Sequence, residues 1–301
     1  MNKNVQLAVL ITCYNRREKT LLCLRSLFSQ VLPPEASFIV YLMDDGSSDG
    51  TSDAVASEFP QIQILQGNGA LYWCGGMRVA WAEAMINDYD GYLWLNDDVE
   101  LLPNALFVIL KTWSDLRTEM QVDPIIVGTC RDPRTDMLVY GGYPRDLSKG
   151  VLPESSHPQR CHTMNGNIVL VPREVVKVVG NLSPDYTHAM GDIDYGLRAS
   201  EKGFAVYIVS GTIGLCEVRP RSKWMSSAVP FIERWKDLHS PKGLPPWEYM
   251  KLRRRCGVPF WFLVPLKLYV RVCLPWLWEG KASLINLSRN HEQIVIKTLK
   301  H

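Results

Sequence analysis

The sequence predicts an α/β protein with a mostly parallel sheet covered on both faces by helices, followed by a helical carboxyl-terminal region. Three observations carry this expectation. Short apolar runs rich in β-branched and aromatic residues alternate with segments of helical periodicity from Val5 to about Val209. Two of these runs, residues 38–43 and 92–95, end in acidic clusters, Asp44-Asp45 and Asn96-Asp97-Asp98, at the carboxyl edge where open α/β sheets place their ligands. Beyond Gly214 the composition changes to Trp, Pro, Arg and Lys, which separates residues 221–301 from a principal domain over residues 1–220.

Taken in order, residues 7–12 read as the first strand. Leu21, Leu24, Leu27 or Phe28, and Val31 then recur at helical spacing until Pro33-Pro34 stops the run. A short helix is expected over residues 52–58, a strand over 62–65, a helix around 77–86 and a strand ending at Leu95. A helix over residues 103–113 would begin with Pro103, whose missing amide costs little in the first turn. Residues 125–130 resume the sheet. Residues 131–160, rich in Pro, Gly, Arg and Asp and weakly patterned, read as an excursion beside the ligand edge. A strand over 165–172, a helix over 173–179 ended by Gly180, a helix over 193–202 followed by Gly203, and a strand over 205–209 complete the domain.

The 301 residues are 47% hydrophobic, enough for a core without covalent staples. Lys plus Arg number 33 against 31 Asp plus Glu, so no basic field argues for a nucleic-acid partner. The eight cysteines form no Cys-x-x-Cys pair and the six histidines no His-x-x-x-His, so zinc spacing is absent and reduced core thiols are expected. The first residues run into a strand and lack the apolar core and cleavage site of a signal peptide, which predicts a cytoplasmic protein. Two strands that deliver carboxylates to one edge point to a metal and a polyphosphate.

The segments Thr12-Cys13-Tyr14-Asn15, Asp44-Asp45-Gly46-Ser47-Ser48-Asp49 and Asn96-Asp97-Asp98 resemble the motifs of the family 2 glycosyltransferases, over roughly Val5 to Gly214. The resemblance implies the GT-A fold, a nucleotide-diphosphate sugar donor, and inversion at the anomeric carbon. It also implies a Mn²⁺ or Mg²⁺ cofactor, with Asp98 as metal ligand, Asn96 as a neutral oxygen donor or water-mediated contact, and Asp97 as the less directly involved member. Thr12, Tyr14 and Asn15 would line the donor site, and an acid after the second strand would hold the base or ribose, Asp45 ahead of Asp44. Asn68, Gly76 and Arg78 fall where relatives line the donor pocket; Gly75-Gly76 reads equally as a tight turn and Arg78 as a solvated helix face. The bland reading of the acidic clusters is helix capping, and Asp49 in particular is placed to cap the helix that follows.

By the same resemblance, Asp192 in Met190-Gly191-Asp192-Ile193-Asp194-Tyr195 takes the position of the base that deprotonates the acceptor. Gly191 stands where a glutamate is usual. No histidine occurs in residues 212–218, where many relatives complete the metal site; Cys216 and Glu217 are the replacements at hand. Asp194 and His188 are candidates for the acceptor side, each with a structural alternative. Residues 258–278 hold five Trp and Phe with three prolines, and Lys267 and Arg271 are spaced to share one helix face. That pattern suits lying in a membrane interface, with Arg253-Arg254-Arg255 toward anionic lipid or a lipid-linked acceptor's diphosphate. The expected protein is therefore peripheral on the cytoplasmic face of the inner membrane, and the resemblance implies that it glycosylates a lipid-linked glycan for O-antigen or capsule. The competing readings are a catalytically silent family member acting as a scaffold, and a glycoside hydrolase, against which the Asp44-Asp45 motif speaks.

Overall fold

In the computed structural model, which describes residues 4–220 and 222–276, the chain divides into two compact units at Val218/Arg219. The first unit opens with β1 (Val5–Cys13), α1 (Arg17–Phe28), β2 (Ala36–Asp44), α2 (Thr51–Glu58), β3 (Gln63–Gln66), α3 (Tyr72–Ala84) and β4 (Gly91–Leu95). It continues with β5 (Glu100–Leu101), α4 (Ala105–Met120), β6 (Ile125–Val127) and the short strands β7 (Cys130–Arg131), β8 (Leu138–Tyr140) and β9 (Gly142–Tyr143). The strands β10 (Gln159–Cys161), β11 (Thr163–Met164) and β12 (Ile168–Pro172) precede α5 (Arg173–Val179), α6 (Gly191–Glu201), β13 (Val206–Ile208) and β14 (Gly214–Leu215).

The main sheet has the order β10-β13-β6-β12-β4-β1-β2-β3. β1 to β4 are mutually parallel, as are β6 and β13; β12 runs antiparallel to both of its neighbours and β10 antiparallel to β13. The expected mostly parallel sheet is present, with β12 inserted against its direction. Side-chain alternation assigns the two faces. Val9, Ile11, Leu42, Leu93 and Leu170 pack with Leu24 and Leu27 of α1 and Ile109 and Trp113 of α4. Leu10, Met43, Trp94 and Val169 pack on the other face with Met77 and Trp81 of α3 and Tyr195 of α6. Burying the strands on both faces is why they read as continuous apolar runs.

Several boundaries differ from expectation for local reasons. Val31 lies past the end of α1 and is exposed, because the helix closes at Phe28 before the prolines are reached. α4 starts at Ala105, after Asn104 in the left-handed region (φ 66°), and continues to Met120, so Pro103 belongs to the preceding turn. α3 begins at Tyr72, earlier than its apolar periodicity indicates, and Gly75 and Gly76 lie inside it. That rules out the tight turn. A Cβ at Gly76 would overlap Thr12 Oγ1, so the glycine permits α3 to approach β1 closely. The excursion resolves into β7, β8, β9 and a 3₁₀ turn at Leu147–Lys149, with β14 pairing β5 and β7 beside the main sheet. None of the eight cysteines is joined in a disulfide, and six are buried.

The second unit contains α7 (Phe231–His239), α8 (Pro246–Arg255) and α9 (Val264–Cys273). Trp224, Leu238, Val264, Leu268 and Val272 form its core. The buried Arg234 donates from Nε to the Val272 carbonyl at 3.0 Å, tying α7 to the end of α9. Lys267 and Arg271 lie four residues apart on one side of α9 as expected; Lys267 is exposed, whereas the Arg271 guanidinium lies 5.2 Å over the Trp224 ring. Phe260, Phe262, Leu266, Val270 and Trp276 are exposed. Among the described residues no helix is long and apolar enough to cross a membrane. Leu277 and Trp278, the end of the aromatic run, lie outside the described residues.

Candidate active site

The parallel register brings the carboxyl ends of β1, β2 and β4 to one edge, with Cys13 opposite Asp44 and Leu10 opposite Trp94. Asn15, in the left-handed region at φ 50°, ties the first turn to the second. Its amide donates to Ser47 Oγ (2.9 Å) and its Oδ1 accepts from the Ser48 amide (2.8 Å). Asp49 accepts from the first helical amides of both α1 (Arg17, 3.0 Å) and α2 (Thr51, 3.1 Å). The Thr51 hydroxyl, with those amides, holds its carboxyl below its ordinary value. Capping, the bland reading, describes Asp49 at two helices at once.

Asp44 and Asp45 are both buried. Asp44 accepts from the Ser47 amide (2.8 Å) and the Ser52 hydroxyl, while Asp45 accepts from the amides of Gly69 (2.9 Å), Leu71 (2.9 Å) and Tyr72 (3.0 Å). The expected base-or-ribose acid is thus the residue that folds the loop between β3 and α3. Gly67 has no side chain there because a Cβ would lie 2.5 Å from Asp45 Oδ1. Asn68 is exposed on this loop and makes its turn by accepting from the Ala70 amide (3.1 Å). Tyr14 is exposed next to Gly69, whereas Thr12 is buried under Gly76. Arg78 is neither a solvated face nor aimed at the Asp cluster: Nη1 donates to the carbonyls of Ser183 (3.0 Å) and Tyr186 (2.9 Å), pinning α3 to the segment before α6.

Asn96, Asp97 and Asp98 follow β4. Asn96 Oδ1 accepts from the indole of Trp73 (2.7 Å), and its backbone carbonyl accepts from the Cys23 thiol (3.3 Å). Asp97 and Asp98 share a cation from their own chain. Arg16 Nη1 lies 3.1 Å from Asp97 Oδ1 and 2.8 Å from Asp98 Oδ2. Burial alone would lower the pKa of that guanidinium, but Asp97 and Asp98 more than reverse this and raise it. The Cys216 thiol lies 3.6 Å from Asp98 Oδ1. Glu217 is drawn away, paired with Lys19 (2.9 Å) and Arg134 (2.6 Å). Burial first, and the acids second, raise the Cys13 and Cys23 thiols, so neither is poised as a thiolate. A cleft of about 140 Å³ lined by Lys19, Cys23, Asp98 and Cys216 opens beside the cluster.

Asp192 sits in the first turn of α6, half-buried, its Oδ2 accepting from the Gly166 amide at 2.8 Å. Trp73 connects it to Asn96: a Cβ on Gly166 would lie 2.6 Å from the Trp73 ring and 3.2 Å from Asp192 Cβ, while the same indole donates to Asn96. Gly191 is required by packing, since a Cβ there would lie 2.6 Å from Cys74 Sγ. Asp194 points inward, 1% exposed, paired with Arg198 Nε (2.8 Å) and accepting from the Tyr186 hydroxyl (3.3 Å). Arg198 in turn donates to the Val179 and Asn181 carbonyls, which ties Asp194 into the fold. His188 Nδ1 accepts from the Trp73 amide (3.4 Å), which places it at the α3 amino terminus.

Arg16, Trp73 and Gly166 are the members that sequence patterns passed over. Arg16 follows the Thr12–Asn15 motif directly, and Trp73 lies in the segment between Asn68 and Arg78, where no pattern singles it out. Among the described residues no group of three or more His, Cys, Asp or Glu is arranged to hold a metal. The donor set fits a hard divalent cation in part: two carboxylates suit Mg²⁺ or Mn²⁺, the Cys216 thiol does not, and further oxygens would have to come from phosphate or water.

A nucleotide-binding-type sheet, acids at its carboxyl edge and a half-buried Asp at a helix start define a GT-A glycosyltransferase. The chain matches the family model "Glycosyltransferase like family 2" over residues 5–255 and belongs to that family. The match runs beyond the Gly214 limit of the sequence resemblance. Over 220 residues, 63% of this chain and 70% of the relative, it is 25% identical to the N-acetylglucosaminyl-diphospho-decaprenol L-rhamnosyltransferase of Mycobacterium tuberculosis. It is similar in fold to the mannosyltransferase PcManGT from Pyrobaculum calidifontis, solved with GDP-Man and Mn²⁺ (TM-score 0.55, 16% identity, 94% of this chain and 75% of that one). It is likewise similar to S. aureus TarS 1-349, solved with UDP-GlcNAc (TM-score 0.54, 13% identity, 83% and 71%). The protein is a glycosyltransferase.

Proposed function

We propose that the protein moves a sugar, with inversion, from a nucleotide-diphosphate donor to a hydroxyl of a lipid-linked glycan during bacterial O-antigen or capsule synthesis. The observation that carries this reading is the run of contacts Asn96–Trp73–Gly166–Asp192, which joins the segment bearing Asp97 and Asp98 to one half-buried carboxylate. Inversion by direct displacement requires one base and no covalent intermediate, and Asp192 is suited to it. The Gly166 amide holds one of its oxygens, and the residue lies in the first turn of α6. The Asp45-organised loop and the turns at Asn15 and Asp49 would shape the nucleotide site, with Tyr14 and Asn68 exposed on its rim. Asp98 and Asp97 would hold Mn²⁺ or Mg²⁺ together with diphosphate oxygens; when bound, the ion offsets the charge that develops on the leaving diphosphate.

The acceptor reading draws on the mycobacterial relative, whose name specifies rhamnose transfer to a lipid diphosphate. It draws also on exposed Phe260, Phe262, Leu266 and Trp276 near the basic Arg254, Arg255 and Lys267 in the second unit, which suit a peripheral contact with the cytoplasmic face of an anionic membrane. The test is thermal-shift binding of UDP, dTDP and GDP and their sugar conjugates with and without Mn²⁺, with Asp98→Ala as control. A metal-dependent shift for one nucleotide, absent in the variant, supports the reading and names the donor class. No shift with any of them favours a silent scaffold.

A further inference from the structure

The Asp97–Asp98 pair already has an occupant. Both carboxylates are largely buried, with side chains 8% and 13% exposed, and Arg16 Nη1 bridges them at 3.1 and 2.8 Å. Two adjacent buried carboxylates repel each other unless a cation lies between them. A divalent cation would need the same oxygens at about 2.0–2.2 Å, and two cations cannot share that space. Only Nη1 is committed: among the described residues Arg16 Nε and Nη2 make no hydrogen bond, and the side chain is 40% exposed, so it has donors to spare and room to swing. The protein brings two carboxylates and a thiol, too few hard ligands to win the ion on its own terms.

We infer that Arg16 is a displaceable counter-ion that holds Asp97 and Asp98 until a nucleoside diphosphate arrives, so that the divalent cation enters only together with the diphosphate. The inference rests on the nucleotide-donor reading above. Diphosphate oxygens supply the missing hard ligands and also give the released guanidinium a new anionic partner, for which its planar fork is well matched. The exchange breaks two ion pairs and forms others without moving the backbone of β4. It also halves the negative charge of the two carboxylates between turnovers and spares the site from scavenging free metal.

The test measures Mn²⁺ uptake by the full chain through the electron paramagnetic resonance signal of the free ion, with and without UDP, dTDP or GDP. The unaltered protein is expected to bind Mn²⁺ at least about tenfold more tightly with one nucleoside diphosphate than without. Arg16→Gln should bind Mn²⁺ alone about tenfold or more tighter than the unaltered protein, because a neighbouring positive charge has been removed. Arg16→Lys, which keeps the charge, should stay weak. Equal Mn²⁺ affinity in the unaltered protein and Arg16→Gln without nucleotide overturns the inference, as does nucleotide-independent binding in the unaltered protein. If no nucleoside diphosphate binds either protein, the donor reading fails, and the metal-alone comparison still decides the part played by Arg16.

Discussion

Replacing Asp45 separates a ligand-binding acid from a fold-making one. Its two oxygens accept three backbone amides, from Gly69 and Leu71 at 2.9 Å and Tyr72 at 3.0 Å, and the residue is 3% exposed. Hydrogen bonds to a charged acceptor contribute roughly 1.5–3 kcal/mol each, and an unpaired buried amide costs a similar amount. The three act as one unit and do not add fully, so Asp45→Ala should destabilise by about 3–5 kcal/mol. Asp45→Asn keeps one acceptor oxygen but turns an amide group toward at least one N–H, so most of that loss should remain. For a unit of this size each kcal/mol lowers the melting temperature by about 2–4 °C, which gives a fall of roughly 6–20 °C. Differential scanning calorimetry without any nucleotide measures it directly. A variant that melts within 2 °C (about 1 kcal/mol or less) of the parent but loses nucleotide binding would refute the argument, because the carboxylate would then be spent on ligand and not on the loop.

Asp192→Asn should lower transfer about 10²–10⁴-fold while nucleotide binding, read by thermal shift, is unchanged. Trp73→Phe retains a ring against Trp94 but loses the 2.7 Å bond to Asn96; steady-state kinetics should show kcat falling more than KM rises, with a stability loss of about 1 kcal/mol in urea. Gly76→Ala should cost about 1–3 kcal/mol through overlap with Thr12, and adding Thr12→Ala should restore part of it in a double-mutant cycle. Asp49 has a lowered folded pKa, so its contribution is complete above its unfolded value of 3.8 and is lost as pH falls through the lower folded value. The gap in melting temperature between the parent and Asp49→Asn should therefore be full at pH 7 and shrink below pH 3.8, and a gap that widens in acid would contradict the assignment.

The fold was legible where the signal is local. Strands buried on both faces announce themselves as apolar runs, and α5 follows its periodicity and terminal glycine residue for residue. The antiparallel entry of β12 between β4 and β6 was not legible, since an apolar run carries no direction. At the site, residue type marked the acids but not their duties. Asp45 looks in sequence like a group facing a ligand, and Asp194 and Arg78 read equally as ligand-facing or structural, yet each is satisfied by amides, a guanidinium or carbonyls of the fold. The converse holds for Arg16, which looks like a solvated charge and lies instead across Asp97 and Asp98, 81 and 82 positions away.

Gly191 shows how a departure from a family pattern can be a local exchange and not a lost function. Read alone, a glycine in place of the usual glutamate weakens the dyad and lends support to a silent protein. In the fold, the start of α6 lies against α3, and a Cβ at this position would sit 2.6 Å from Cys74 Sγ. Cys74 in turn holds the segment before α6 through its amide and its thiol: the amide donates to the Thr187 carbonyl at 3.2 Å, and the thiol lies 3.3 Å from the His188 carbonyl. Restoring the glutamate by Gly191→Glu should therefore push α6 from α3, shift Asp192 off the Gly166 amide and lower both stability and transfer. Gly191→Glu combined with Cys74→Gly, which clears the space, should recover stability measurably more than it recovers transfer, because the Cys74 thiol contact to the His188 carbonyl is lost with the side chain. If Gly191→Glu alone raised transfer, close packing would not be what selects glycine here, and the missing acid would have to be counted as a catalytic deficit.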